Sequence, residues 1–149
     1  VVTPAVDFLP SFLALLGLMA WYGIAPTWGV LALPLFLLLT LMTALAVGLW
    51  LSPINVKYRD VGHTIPFLTQ FWMFASPVVY PLSLVPEQWR VLYSLNPMVG
   101  VIEGFRWALL GKENPDFMMM LVSGTVMVAL LLGGIVFFKK MERTFADII

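Results

Sequence analysis

Long apolar runs alternate with short polar breaks along this chain. Four runs have the length and the lack of charge that a bilayer crossing needs: 8–24, 30–51, 65–82 and 117–138. As a helix the first reaches about 26 Å, slightly short, so its start is expected earlier; the second and fourth reach about 33 Å. The third is uncharged but carries Pro66, Gln70, Ser76 and Pro77. Proline inside such runs, Pro34 and Pro77, is tolerated better in a membrane helix than in a soluble one. No internal repeat and no low-complexity segment interrupts the pattern.

The connection between the third and fourth runs predicts two short helices, 86–94 and 97–110. Pro86 and Glu87 suit a first helical turn, and Trp89, Leu92 and Tyr93 share a face. Asn96 is a good N-cap and Pro97 a good first residue. Met98, Val101, Ile102, Phe105 and Leu109 follow at helical spacing, and Gly111 is placed as a stop. The second helix, about 20 Å long, is too short to span. Glu103 and Arg106 are three residues apart and can pair. Such a pair of amphipathic helices is either a re-entrant hairpin or an interfacial pair. The predicted fold is an all-α polytopic membrane bundle, one domain over 1–149, with four transmembrane helices and this short pair.

Composition agrees: 61% of residues are hydrophobic and 11% charged, with mean hydropathy +0.97. A globular surface cannot be built from so few polar residues. The formal net charge of +0 points to no nucleic-acid partner, and the lack of cysteine excludes disulfides and thiolate chemistry. The opening "VVTPAVDFLP" has neither an initiating Met nor a basic region, so it does not read as a signal peptide; the N-terminal part of the protein is expected to be missing. Lys57 and Arg59 follow the second run, and Lys139, Lys140 and Arg143 follow the fourth. Two crossings separate these groups, so they share one side, which the positive-inside rule makes cytoplasmic. The outer connection holds Arg90, Arg106 and Lys112, which weakens the bias without reversing it.

Enzyme chemistry is not apparent. There is no phosphate loop, one histidine (His63) that reads as an interfacial polar residue, and no H-E-x-x-H. No catalytic residue and no metal site is predicted. The four runs contain no Asp, Glu, Lys or Arg, which argues against proton or sodium coupling. Most Trp and Tyr residues fall at run ends, as an interfacial belt does. Phe71, Trp72 and Phe74 lie inside the third run, where a belt does not explain them. With Tyr80 they are candidates for an apolar surface along a substrate path, where sugar rings stack on aromatic faces.

"INVKYRDVGHTIPF", from Ile54 to Phe67, sits between two apolar runs on the predicted cytoplasmic side. A solvated turn would need only Lys57 and Arg59; Asp60 beside Arg59 suggests instead a loop that receives work from another protein.

Together with this stretch, N-V-x-Y-R-D, S-P-V-x-Y-P, V-P-x-x-W, L-N-P and E-x-F-R-W-A occur in order from about Val30 onward. With the tail "FFKKMERTFADII", they resemble the type-2 ABC transporter permeases that export polysaccharides and polyol phosphates. The resemblance implies a six-helix subunit in the cell membrane, paired as a homodimer, with two ATPase subunits on the cytoplasmic face that use ATP. No cofactor is implied for this chain itself. It implies that Asn55, Lys57, Tyr58, Arg59 and Asp60 contact the ATPase. It implies that the 85–111 helices, with Trp89, Asn96, Pro97, Glu103 and Arg106, gate the outer end. The cargo implied is O-antigen, capsule or teichoic-acid-like chains on a lipid carrier. This sequence departs from the pattern in having four spans, and in Pro53 where Ala is expected. The alternative is a secondary carrier or membrane enzyme acting on lipid-linked sugars; a neighbouring gene for a Walker-motif ATPase would favour the exporter.

Overall fold

The computed structural model describes residues 2–25, 28–58, 60–111 and 116–146. Arg59 and Lys112 therefore lie outside the described residues. Six α-helices follow one another: α1 (Val2–Trp21), α2 (Leu33–Lys57), α3 (Val61–Ala75), α4 (Glu87–Tyr93), α5 (Pro97–Leu110) and α6 (Phe117–Ala146), with short 3-10 turns at Trp28–Ala32 and Leu82–Leu84. Among the described residues there is no strand, so the all-α expectation holds. Among the described residues two helices, against the four crossings expected, are long and apolar enough to cross a membrane, Trp28–Lys57 and Phe117–Glu142, and Phe8–Trp21 is a shorter apolar helix.

Local chemistry accounts for the helix ends. Asp116 accepts from the backbone N–H groups of Met118 (3.1 Å) and Met119 (3.3 Å) and so caps α6. Asn96 accepts from Met98 N at 3.1 Å, Pro97 follows it, and Gly111 closes α5 at φ 60, a left-handed conformation that glycine adopts without a Cβ clash. α3 stops at Ala75, short of the predicted end of its run at residue 82. Ser76, which precedes Pro77, is extended (ψ 149), because a proline ring pushes its predecessor out of the helical region. Pro10, Pro53 and Pro66 sit inside helices without ending them. α2 runs on to Lys57, six residues past its predicted end.

α2 and α6 lie side by side and run parallel. At one end Phe36 and Met120 line a common cavity; further along, Trp50 Nε1 donates to the Leu130 carbonyl (2.9 Å) and the Trp50 ring stacks on Phe137 (centroids 4.9 Å). Gly133 and Gly134 permit this approach, since an added Cβ would meet the Trp50 and Leu49 side chains at 3.1 and 3.0 Å. Lys57 and Lys139 consequently lie at the same end of the bundle, as the charge pattern requires.

α5 fills the other end. Its small residues Gly100, Gly104 and Ala108 face Ser123, Phe36 and Gly29 respectively, each close enough that a Cβ on the glycine would collide. Met19 of α1, Leu33, Phe36, Ala108 and Leu109 form the buried core there. α5 is thus a core helix rather than one lying flat on a surface.

Candidate functional site

The polar side chains of this apolar chain converge where α3, α5 and α6 meet. Asn96 uses its whole hydrogen-bonding capacity. Oδ1 accepts from Met98 N and from Trp72 Nε1 (3.0 Å); Nδ2 donates to Ser76 Oγ (2.9 Å) and the Ala75 carbonyl (3.3 Å). One side chain therefore caps α5 and ties it to the end of α3. Ser123 of α6 donates to the Ser94 carbonyl (2.9 Å) and accepts from Gly100 N (3.2 Å). Ser94, Ser123, Ser76 and Thr43 are all buried. Since Ser123 is six residues into α6, the α3–α5 junction lies about 9 Å below the start of α6 along its axis. The chain between α3 and α6 therefore dips back into the bundle.

Arg106 and Glu103 pair at 2.7 Å, as their spacing predicts. Arg106 Nη2 also donates to the Pro77 carbonyl (2.6 Å) and the Tyr80 carbonyl (3.2 Å). The guanidinium thus holds the 77–80 turn against α5, a geometry that needs its planar fork of donors. Glu103 neutralises the charge where both side chains are less than one-third exposed.

The predicted aromatic path is divided. Phe67, Phe71 and Phe74 lie four and three residues apart on one exposed face of α3, whereas Trp72 turns to the opposite side and bonds Asn96. Tyr80 donates to the Phe74 carbonyl (3.2 Å), and its ring lies 6.4 Å from that of Tyr93. A cavity of about 30 Å³ between α2, α5 and α6 has room for a single water. It is far smaller than a ligand pocket of about 300–1,000 Å³. Trp89 is exposed on α4, and Pro97 is buried at the start of α5.

At the opposite end, the expected loop contracts to a tight joint. Asn55 and Lys57 belong to the last turn of α2, and Asp60 immediately precedes α3. Lys57 Nζ lies 5.4 Å from the Tyr58 ring centroid, a cation–π distance. Gly62 packs against Asn55, whose Oδ1 would lie 3.0 Å from an added Cβ. Tyr58 and Asp60 are exposed, so this joint presents an aromatic ring and a carboxylate to the outside. Among the described residues no cluster of His, Cys, Asp or Glu could hold a metal.

The sequence reading missed Ser123 and the Gly100–Gly104–Ala108 stripe. The small-xxx-small spacing of Gly100, Gly104 and Ala108 carries the signal, among the larger apolar residues of α5.

Residues 4–110 match the ABC-2 type transporter family. The chain belongs to that family. It is 33% identical over 149 residues to the "O-antigen export system permease protein RfbA" of Myxococcus xanthus, covering 99% of this chain and 57% of that protein. A protein of the same name from Klebsiella pneumoniae is 20% identical over 155 residues, covering 100% of this chain and 58% of the relative. The "Inner membrane transport permease YadH" of Escherichia coli (strain K12) is 31% identical over 80 residues, 54% of this chain and 31% of YadH. The chain thus spans somewhat more than half the length of the two O-antigen permeases. Among the described residues of this ABC-2 chain, polar groups gather both in the dipping segment and at the α2–α3 joint, at opposite ends of the bundle.

Proposed function

We propose that this ABC-2 chain is the membrane-spanning permease subunit of an ATP-driven exporter. It moves lipid-linked polysaccharide or polyol phosphate from the cytoplasm across the cell membrane. The observation that carries this reading is the similarity to the O-antigen export permease of M. xanthus across 99% of the chain. α1, α2, α3 and α6 are the four crossings, with the third completed by the 76–84 segment above α3. The Lys57–Lys139 end faces the cytoplasm. A separate ATPase, present in two copies, uses ATP and docks on the 55–60 joint, where Tyr58 fills an apolar pocket and Arg59 and Asp60 pair across the interface. The α4–α5 segment gates the outer end, with Trp89, Asn96, Pro97, Glu103 and Arg106 as its working residues. The path runs between two copies of the chain, and the exposed face of α3 that carries Phe71 and Phe74 forms its wall.

The test is deletion of the gene together with co-purification of an ATPase. Loss of surface glycan, with lipid-linked glycan accumulating inside, is expected, as is an ATPase whose activity depends on this chain. Normal surface glycan in the deletion strain would overturn the reading.

A further inference from the structure

The two short helices of the dipping segment are held very differently. α5 is locked to its surroundings by three hydrogen bonds that link Asn96 with Trp72, Ala75 and Ser76, by two from Arg106 to the Pro77 and Tyr80 carbonyls, and by Gly100, Gly104 and Ala108 in contact with α6, α2 and the 28–32 turn. α4 has no buried residue, and Trp89, Val91 and Leu92 are more than half exposed. Among the described residues, the side chains of Glu87–Tyr93 make one hydrogen bond, from Arg90 to the Val85 carbonyl (3.2 Å), and a 4.0 Å ion pair, Glu87–Arg90; both stay within the segment. Pro81 and Pro86 bracket its start, and the Ser94–Asn96 turn, anchored by Ser123, forms its other end. One further observation belongs to α4 alone. The Tyr93 hydroxyl is buried and has no hydrogen-bond partner among the described residues. A buried hydroxyl without a partner destabilises the conformation that buries it, and it would regain water if α4 swung outward.

We infer that α4 is the moving flap of the gate, pivoting between Pro86 and Ser94, while α5 belongs to the fixed frame with α2, α6 and the end of α3. This rests on the gating role proposed above, but the partition into flap and frame does not come from it. The Tyr93 hydroxyl biases the flap toward opening, so the docked position is held only by apolar contact and is easily displaced. Asn96 and Arg106 are positioning residues that keep the 75–80 turn and α5 still while α4 moves.

The chain has no cysteine of its own, so spin-label pairs can be placed without background. Val91→Cys with Leu132→Cys reports flap against frame; Leu110→Cys with Leu132→Cys reports α5 against α6. All three positions are exposed. In the full transporter, between nucleotide-free and ATP-trapped states, the Val91–Leu132 distance is expected to change by about 5 Å or more, roughly one helical turn. The Leu110–Leu132 distance is expected to stay constant. If both change together, or neither does, the partition is wrong. A second arm needs no ATPase and no export. In the full-length chain in lipid vesicles, Tyr93→Phe should raise the ratio of docked to swung-out populations roughly fivefold or more. An unchanged Val91–Leu132 distribution in that variant would overturn the role of the hydroxyl even where export itself is confirmed.

Discussion

The ring of Phe36 occupies the space that a side chain on Gly104 would need. Helix α5 can lie against α2 only because Gly104 has no Cβ. Alanine there would gain about 1 kcal/mol of helix propensity, but the overlap costs about 1–3 kcal/mol and falls on a packed aromatic ring. Gly104→Ala should lower the thermal midpoint of the purified protein, and Gly104→Leu should lower it further or prevent accumulation. Gly124, whose Cβ would meet nothing within 4 Å, is the matched control. Gly124→Ala should be neutral or slightly stabilising, and equal losses at the two sites would contradict the packing described.

Asn96 separates into two roles by substitution. Asn96→Asp keeps an N-cap oxygen and the acceptor for Trp72, but loses both donors and sets a carboxylate beside the Ala75 carbonyl. Asn96→Ala loses the cap as well, and about 2–4 kcal/mol is expected from cap loss plus unpartnered groups. Thermal unfolding should order the variants wild type, Asp, Ala. An aspartate variant as stable as wild type would show that the bonds to Ala75 and Ser76 contribute nothing.

Arg106→Lys keeps a cation for Glu103 but cannot reach two carbonyls with a rigid fork. A loss of roughly 1–2 kcal/mol is expected, since the side chain is 30% exposed and partly screened. Arg106→Ala should cost more, because Glu103 is left without its cation in a site where it is only 18% exposed. Proteolysis within 76–84 is the sensitive readout, and faster cleavage is expected in both variants.

Topology is checked with single cysteines and an impermeant reagent in intact cells. A cysteine at Lys57 or Lys140 should stay unlabelled until the cells are permeabilised. One at Glu87, which is 91% exposed, should label at once. Labelling of position 140 in intact cells would reverse the proposed orientation.

Arg59→Ala combined with Asp60→Ala should leave membrane insertion intact and abolish export, measured as surface glycan. Normal export by the double variant would reduce the α2–α3 joint to a solvated turn.

Much of this architecture was legible in advance because its causes are local. A capping oxygen, a proline ring and a left-handed glycine act within a few residues, so the sequence places α5 from Pro97 to Leu110 with its Asn96 cap, and the Glu103–Arg106 pair follows from one helical turn. The end of α3 was equally local, written in the Ser76–Pro77 step, but the unbroken apolar run concealed it. The 54–67 stretch reads as a loop because Lys57, Arg59 and Asp60 stand together between two apolar runs. Instead α2 absorbs Pro53 and continues to Lys57, and only the short joint before α3 remains.

The sequence by itself determined that the chain is helical and apolar, that five of its eight basic residues follow the second and fourth apolar runs, and where α5 begins and stops. These follow from side-chain chemistry and near-neighbour sterics. Only the tertiary structure decided that α5 is buried, that Trp72 turns toward Asn96 while Phe71 and Phe74 face outward, and that Arg106 reaches the 77–80 turn. Those outcomes depend on groups brought together from positions such as 29 and 108, or 36 and 104. Whether two helices can approach is set by a missing Cβ at one contact, which the hydrophobic pattern of either helix alone does not encode.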